Sequence, residues 1–196
     1  MVRLLKIALP VVVLTCLAAS AFASVPPPAP KFPWLKTGTV MKWNLVGAYD
    51  FVVTVKKLGT EVEFDYKMSN ASETAGTVTI KEKGFAEGTA QNNYFGGGPL
   101  VLEEKTTVWV SKKFYQALKE KKDLVINAEG EDATLKFVKD DKWTVTIEGK
   151  QVELPVLYGE TDKGQKFWIL DDPENPVICK MEISFTIELK EITPAK

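Results

Sequence analysis

Residues 183–190, near the end of the chain, read ISFTIELK and hold the clearest structural pattern in the sequence. Ile183, Phe185, Ile187 and Leu189 alternate with polar residues, so one face of an extended strand is apolar and the other is exposed to solvent. A period of two is typical of an antiparallel sheet with one covered face. The stretch therefore predicts a β-strand at the C-terminal end of the fold.

The same alternation recurs along the chain from Trp34 onward. It predicts strands near residues 51–55, 62–67, 78–80, 135–137, 143–147, 152–158 and 167–170, with turns at 139–141, 148–151 and 162–164. Short, regularly spaced strands joined by Gly and Asp turns describe a meander. About eight to ten strands is near the size at which an open sheet curls or closes. We therefore predict a mainly β domain built on a curved antiparallel sheet, a half-barrel or barrel, with a two-sheet β-sandwich as the alternative.

One segment departs from this pattern and predicts a single short amphipathic helix over residues 111–120. Val110, Phe114 and Leu118 recur every four positions, which is the spacing of one helical face. Ser111 is a suitable N-cap residue. The apolar stripe of this helix has to be covered, and we expect it to lie across the concave side of the sheet or to plug one end of a barrel.

Residues 1–23 have the three parts of a secretory signal peptide. Arg3 and Lys6 supply a positive start, an apolar run follows, and residues 21–23 form a small-x-small cleavage site. The apolar run is shorter than the roughly 20 residues of a membrane-spanning helix. We therefore predict export to the periplasm or medium without a membrane-spanning segment. A lipoprotein signal acylated at Cys16 is the alternative, and the threonine before that cysteine disfavours it.

The mature chain is predicted to begin with a proline-rich arm. Residues 24–33 contain five prolines in ten positions, a composition that favours an extended polyproline II segment. We expect this arm to act as a stiff spacer. A single β-rich domain is then predicted over residues 34–196.

Charge and cysteine content limit the partners and the stabilising chemistry. Loss of Arg3 and Lys6 with the signal leaves 23 basic and 26 acidic residues. Nucleic-acid binding needs clustered positive charge, so we predict no nucleic-acid partner. Cys179 is the only cysteine left after cleavage, so no internal disulfide forms, and we expect it to be a small buried apolar residue.

The sequence contains no histidine, which narrows the possible chemistry further. Serine–histidine and cysteine–histidine catalysis and the usual histidine-rich metal sites are excluded. The commonest general base near neutral pH is absent as well. The composition therefore favours a protein that is not an enzyme, and no cofactor is predicted.

The most unusual local cluster is acidic. Asp171, Asp172 and Glu174 bring three carboxylates together, which is a candidate set for a hard cation such as calcium or for a paired acid and base. Asp residues also cap turns with their side chains, and the prolines at 173 and 176 fix the backbone. The spacing of known calcium loops is absent, so the turn is the favoured interpretation.

Aromatic residues are abundant, with five tryptophans and ten phenylalanines. Most of them are expected to fill the core. Our hypothesis is that some line an apolar cavity between the sheet and the helix. The candidate cavity-facing residues are Trp109, Phe114, Leu118, Trp143 and Trp168.

Three segments also carry a family resemblance. Residues 107–119 (TVWVSKKFYQALK) resemble the strand-into-helix stretch of some uncharacterised bacterial exported domains, and residues 154–157 and 167–176 (FWILDDPENP) look like their closing segment. These domains are similar in layout to the periplasmic lipoprotein-carrier group. The resemblance, over about half of the mature chain, implies a half-barrel with a helix on its concave side and an apolar ligand site. It implies no catalytic residues.

Together these features predict a non-enzymatic exported binding protein that shelters a hydrophobic ligand, a lipid or acyl chain, in a half-barrel cavity. The alternative is an envelope structural or protein-interaction module, in which the proline-rich arm and an exposed sheet edge contact an envelope protein. An enzyme that uses the acidic cluster ranks third.

Overall fold

A computed structural model describes residues 31–196, which form 13 strands and two helices. The strands are β1 (Val40–Leu45), β2 (Tyr49–Lys57), β3 (Val62–Met68), β4 (Ala75–Ile80), β5 (Ala90–Gln91), β6 (Gly98–Leu102), β7 (Lys105–Thr106), β8 (Leu124–Asn127), β9 (Asp132–Ile147), β10 (Lys150–Thr161), β11 (Lys166–Leu170), β12 (Ile178–Glu182) and β13 (Thr186–Thr193). The helices are α1 (Glu82–Glu87) and α2 (Lys112–Glu120).

The 13 strands of the described residues belong to one sheet, in the order β6-β4-β3-β2-β1-β13-β12-β11-β10-β9-β8-β5-β7. The mainly β prediction is confirmed, and the strands form one sheet instead of the two sheets of a sandwich. The sheet is mixed, because the pairs β4–β6, β5–β7 and β5–β8 are parallel. A connection over residues 81–97, which contains α1, returns the chain to the starting end before β6, as a parallel pair requires.

The apolar faces of the strands pack into one continuous core. In β2 and β3 the buried side chains alternate along each strand, as in Phe51, Val53 and Val55 and then Val62 and Phe64. Burying a side chain of this size stabilises the fold by about 1.5–3 kcal/mol. The alternation seen in the sequence therefore marks the face that drives folding.

The hairpin of β9 and β10 is longer than the sequence predicts. Residues 139–141 were expected to form a turn, and that prediction is wrong: β9 continues through them and pairs with β10 as far as Lys150. The chain turns at Glu148 and Gly149, whose φ angles are 50° and 77°. Two successive positive φ values are typical of a type I′ turn, which matches the twist of the two strands.

The sheet curls on itself at the tip of this hairpin. Thr146 and Ile147 of β9 pair in parallel with Glu191 and Ile192 of β13, although three strands separate β9 from β13 in the sheet order. Neighbouring strands lie about 4.8 Å apart, so a flat sheet would hold β9 and β13 almost 20 Å apart. The β9–β13 pairing therefore requires the sheet to be strongly curved. The sheet is not a closed barrel, because β6 and β7 form its two edges.

The stretch with the clearest alternation is only partly a strand. β13 begins at Thr186, and residues 183–185 form the bend that joins it to β12, with the Ile183 amide donating to the Phe185 carbonyl at 2.9 Å. Alternation continues through the bend because Phe185 still packs against the core. The predicted strand therefore exists, but begins three residues later.

The predicted helix is present as α2, and a second helix is also formed. The Ser111 hydroxyl caps α2 by accepting from the Phe114 amide at 3.1 Å, as the sequence suggested. The prediction of a single helix is wrong, because α1 forms as well. The sequence did not indicate α1, since six residues are too few to show a helical period. Gly84 of α1 fits closely under residues 102–105, where a side chain would meet the Lys105 carbonyl oxygen at 2.7 Å.

Most of the N-terminal predictions fall outside the described residues. The signal peptide over 1–23 and the arm as far as residue 30 are not covered. The described end of the arm contacts the domain: the Lys31 ammonium pairs with the Asp171 carboxylate at 2.8 Å, and Phe32 joins the core. Within residues 31–196, no helix is both long enough and apolar enough to cross a membrane.

Candidate functional site

Four loops meet at one end of the sheet, and we call this region the loop end: residues 45–49, 69–74, 92–97 and 183–185. Backbone hydrogen bonds join neighbouring loops to the strands between them. The Val46 amide donates to the Thr186 carbonyl at 3.0 Å, and the Ser69 amide donates to the Asp50 carbonyl at 2.9 Å. The Gly97 amide donates to the Tyr66 hydroxyl at 3.1 Å.

An apolar pocket of about 190 Å³ lies at the loop end. Its floor consists of buried side chains from the strands and from residues 107 and 108: Phe51, Met68, Thr107, Val108, Ile178, Met181 and Ile187. Its mouth consists of side chains that are not fully buried: Leu45, Tyr49, Asn92, Asn93, Phe95 and Phe185. The pocket therefore faces solvent through the loops, while the core forms its base.

The loop over residues 92–97 covers one side of the pocket and is held by specific contacts. The Phe95 ring packs against Phe51 and Tyr66, with ring centroids 4.8 and 5.0 Å apart. The Asn93 side-chain amide donates to the Ala128 carbonyl at 2.5 Å, and the Asn92 backbone amide donates to the Thr106 carbonyl at 2.7 Å. These contacts order a loop whose glycines would otherwise leave it free.

The pocket is electrostatically neutral, because none of its lining side chains is charged. Tyr49 is the titratable lining residue, and partial burial raises the pKa of its hydroxyl, which keeps it protonated at neutral pH. A dry cavity of about 150 Å³ lined by Leu, Ile and Phe is large enough to bind benzene. This pocket is therefore suited to a small apolar molecule or to the end of a longer one.

Three of the predicted cavity residues lie elsewhere, in the packed core beneath α2. Trp109 stacks on Phe64 at 5.3 Å, and Phe114 packs edge-on against Phe167 at 5.5 Å. Leu118 approaches β10 so closely that a Cβ added at residue 159 would meet its Cδ2 atom at 2.6 Å. None of the three lines the apolar pocket. The helix is seated directly on the sheet at this point.

The other two predicted cavity residues, Trp143 and Trp168, lie together on the opposite face of the sheet from Phe167. The Lys180 ammonium lies 5.7 Å from the ring centroid of Trp143 and 5.1 Å from that of Trp168. Trp168 also stacks on Tyr158 at 4.5 Å, and the Trp143 indole donates to the Leu189 carbonyl at 2.8 Å. The two tryptophan rings share the Lys180 ammonium as a neighbour, and neither ring lines the apolar pocket.

The acidic cluster is held by lysines and by its own turn. The Asp171 carboxylate contacts the Lys31 and Lys119 ammonium groups and the Tyr115 hydroxyl, each at 2.8 Å. Burial alone would raise its pKa, but these three donors outweigh burial and lower the pKa to about 2.

The remaining two carboxylates point to different partners. The Asp172 carboxylate accepts from the Glu174 backbone amide at 3.0 Å, and the Glu174 side chain pairs with Lys112 at 2.9 Å. Within the described part of the chain, no group of three or more acidic, cysteine or histidine side chains is placed to hold a metal ion. Of the three carboxylates, Asp172 makes the turn contact that the sequence suggests, whereas Asp171 and Glu174 form ion pairs with lysines outside the turn.

Sequence reasoning missed most of the pocket residues. Phe51 and Ile187 were recognised as apolar strand positions, but nothing local separates a residue that lines a pocket from one that fills the core. The available signal was Phe95, a large apolar residue in an otherwise polar and glycine-rich loop. Such a residue has to be covered, and here it covers the pocket.

No family model, curated protein or solved structure matches this chain. The resemblance to exported half-barrel domains therefore stays a prediction. The architecture and the pocket have to support a function by themselves.

Proposed function

We propose that this chain is an exported, non-enzymatic binding protein that holds a small apolar ligand in the pocket at the loop end. The observation that carries the proposal is an uncharged pocket with a base of buried, mainly apolar side chains and a mouth of partly or fully exposed ones. The proposed site differs from the one expected under α2. Export rests on the predicted signal peptide, and the predicted destination is the periplasm or the medium.

The volume of the pocket restricts the ligand class. Pockets for drug-sized molecules usually have about 300–1,000 Å³. A pocket of about 190 Å³ is too small to enclose a whole lipid. We therefore propose that it takes a single-ring compound or the terminal part of an acyl chain, with any polar group left outside the mouth.

The lining chemistry supports binding over catalysis. Its polar side chains are the amides of Asn92 and Asn93 and the hydroxyls of Tyr49 and Thr107. None of these groups is a general base at neutral pH, and each of the two amides already donates to a backbone carbonyl. Apolar burial is the interaction that this lining can offer a ligand.

Toluene, a single-ring probe of suitable size, tests the proposal. We expect its addition to shift the methyl resonances of Val108, Ile178 and Ile187 in NMR spectra, saturably and together. Val108→Phe should fill the floor and weaken toluene binding at least ten-fold. The matched control Val125→Phe places the same side chain at an exposed site outside the pocket and should leave affinity unchanged.

Equal toluene affinity in the two variants, or no saturable shift in the parent protein, would contradict the proposal. Both variants should first be shown to unfold cooperatively, so that lost binding is not lost structure. Native mass spectrometry of the protein purified from its own envelope would then show which ligand it carries.

An envelope protein-interaction module is the second proposal, and β6 supports it. Among the described strands, β6 lies at an edge of the sheet and pairs only with β4. Val101 in this strand is exposed, and an open edge can receive a strand from another protein. Capture of the same envelope partner by the parent chain, and its loss in Val101→Pro, would favour this function.

A further inference from the structure

The loop end differs from the rest of the surface in its charge. The loops 45–49, 92–97 and 183–185 contain no charged residue, in a chain in which 26% of residues are charged. The loop 69–74 contains one, Glu73, which pairs with Lys67 at 3.5 Å. A surface without charges can leave water at little cost, since charged groups carry the largest desolvation penalty.

Two large apolar side chains project from these uncharged loops. Tyr94 is 79% exposed and Val46 is 56% exposed, although each lies beside residues that form the mouth of the pocket. The Tyr94 ring lies over Gly96, where an added Cβ would meet the ring at 3.1 Å. The ring is therefore presented outward from an ordered loop and is not packed into the core.

We infer that the loop end attaches the protein to a zwitterionic lipid surface, with Tyr94 and Val46 entering the interface around the pocket mouth. This inference rests on the proposed function, because it adds the place from which the apolar ligand is taken or to which it is delivered. A lipid surface brings the end of an acyl chain directly to the mouth of an apolar pocket.

The chemistry of the loop end favours lipid over a second protein surface. A stable protein interface buries about 800 Å² on each partner, whereas a tyrosine contributes at most about 250 Å². Two projecting side chains fall short of a protein interface but suffice for weak, reversible contact with lipid. Tyrosine rings are favoured at the boundary between headgroups and acyl chains because one end is apolar and the other polar.

The charges around the loop end further favour a neutral headgroup. Glu73 lies in one of the loops, and the Glu129 carboxylate accepts from the Ser184 amide at 3.0 Å. The whole chain carries a net charge of −1. None of the four loops contains a lysine or an arginine that could attract an anionic headgroup, and the Glu129 carboxylate would repel it, whereas zwitterionic phosphatidylcholine or phosphatidylethanolamine would not be repelled.

Flotation with phosphatidylcholine vesicles tests the inference on the exported protein, whose N-terminus is verified by mass spectrometry. We expect the parent protein to float with these vesicles and to bind less well when anionic phosphatidylglycerol is added. The double variant Val46→Ser, Tyr94→Ser should reduce the bound fraction at least five-fold. The matched control Val101→Ser, Val138→Ser removes two exposed valines away from the loop end and should bind like the parent.

All of these proteins have the same N-terminus, so any effect on vesicle binding of the residues before Lys31 is the same in each of them. The inference is overturned if the parent stays at the bottom of the gradient or if both double variants bind equally. Stronger binding to anionic vesicles would overturn it as well, in favour of lysine-mediated attachment. A concentration-dependent dimer that Val46→Ser, Tyr94→Ser abolishes, without vesicle binding, would assign the surface to a second copy.

The toluene titration is performed without vesicles and separates this inference from the proposed function. Neither Tyr94 nor Val46 lines the pocket, so the Val46→Ser, Tyr94→Ser variant should bind toluene as the parent does. Toluene binding without flotation would reject only the lipid surface. Flotation without toluene binding would reject the pocket.

Discussion

Asp171 is the residue at which three separate parts of the chain are tied together. Lys31 comes from the N-terminal arm, Tyr115 and Lys119 come from α2, and Asp171 itself follows β11. The carboxylate is only 17% exposed, so its charge is screened by water less than that of a surface ion pair. Its ionised form is therefore part of what holds the arm and the helix to the sheet.

Asp171→Asn should lower the free energy of unfolding by about 2 kcal/mol at pH 7. The folded pKa of about 2 lies below the ordinary value of 3.8, so this stabilisation is present above pH 4. It should fade as the pH falls from about 4 to about 2, because the carboxylate is protonated first in the unfolded chain and then also in the folded one. Most of the difference should be gone near pH 2, where about half of the folded molecules still carry the charge. Denaturant unfolding of the parent and the variant at pH 7 and near pH 2 measures the difference.

Asp123→Asn is the matched control, because Asp123 pairs with Lys136 at 3.4 Å but is 61% exposed. Exposed ion pairs contribute at most about 1 kcal/mol, so this change should be small at both pH values. An equal loss in the two variants at pH 7 would show that the burial of Asp171 adds nothing.

The sequence predicts which residues are buried wherever a strand has one solvent-exposed face. Phe51 and Val53 follow directly from alternation, because their neighbours face solvent. Trp109 and Trp168 were both predicted to face a cavity. Trp109 is fully buried in the core, whereas Trp168 lies beside Lys180 on the face of β11 opposite to Phe167. The sequence could not separate them, because the face of a tryptophan is set by strands far away in the chain.

At the scale of elements, the contact of α2 with β10 depends on one small residue. Gly159 is buried and lies at the bulge that follows Tyr158 in β10. A Cβ added at Gly159 would lie 2.6 Å from Leu118 Cδ2 and 3.1 Å from Leu135 Cδ1. The helix therefore approaches the strand as closely as a glycine allows.

Gly159→Ala should destabilise the fold by about 1–3 kcal/mol, because an extra methyl group in a filled core forces its neighbours to move. In a Leu118→Ala background the same change should cost less, since the truncated side chain leaves room for the methyl group. Chemical unfolding of the four proteins gives the coupling energy. Additive costs in the two backgrounds would mean that Leu118 is not the contact that limits the helix.

The course of β9 explains why element boundaries could only partly be predicted. Asp140 and Asp141 are a polar pair next to a lysine, a composition usual in turns. In the fold Asp140 pairs with Leu157 and Asp141 with Val156, so β10 supplies the partners that keep this segment extended. Local composition does not contain that information. The turn at Glu148 and Gly149 was recognisable because its chemistry is local.

At the scale of the whole molecule, the two halves of the chain are joined by the last strand. β13 pairs with β1 on one side and with β12 on the other, and it also meets the tip of β9. Ile192 illustrates this position, since it is fully buried and pairs with Met41 and Ile147. The curvature that the sequence suggested, and the pocket that it did not locate, both depend on these long-range pairings.

A chain that ends at residue 185 should therefore fail to fold cooperatively, whereas a chain that ends at residue 193 should unfold like the parent. The shorter chain lacks β13, which leaves β1 and β12 without the strand that joins them and exposes the apolar residues that Ile187, Leu189 and Ile192 cover. The longer chain loses only three residues beyond the last strand. Thermal unfolding followed by near-ultraviolet circular dichroism distinguishes the two. A cooperative transition of undiminished amplitude in the shorter chain would contradict this prediction. It would mean that the β1–β4 and β9–β12 regions are stable without β13 and that β13 is not needed for the rest of the sheet to fold.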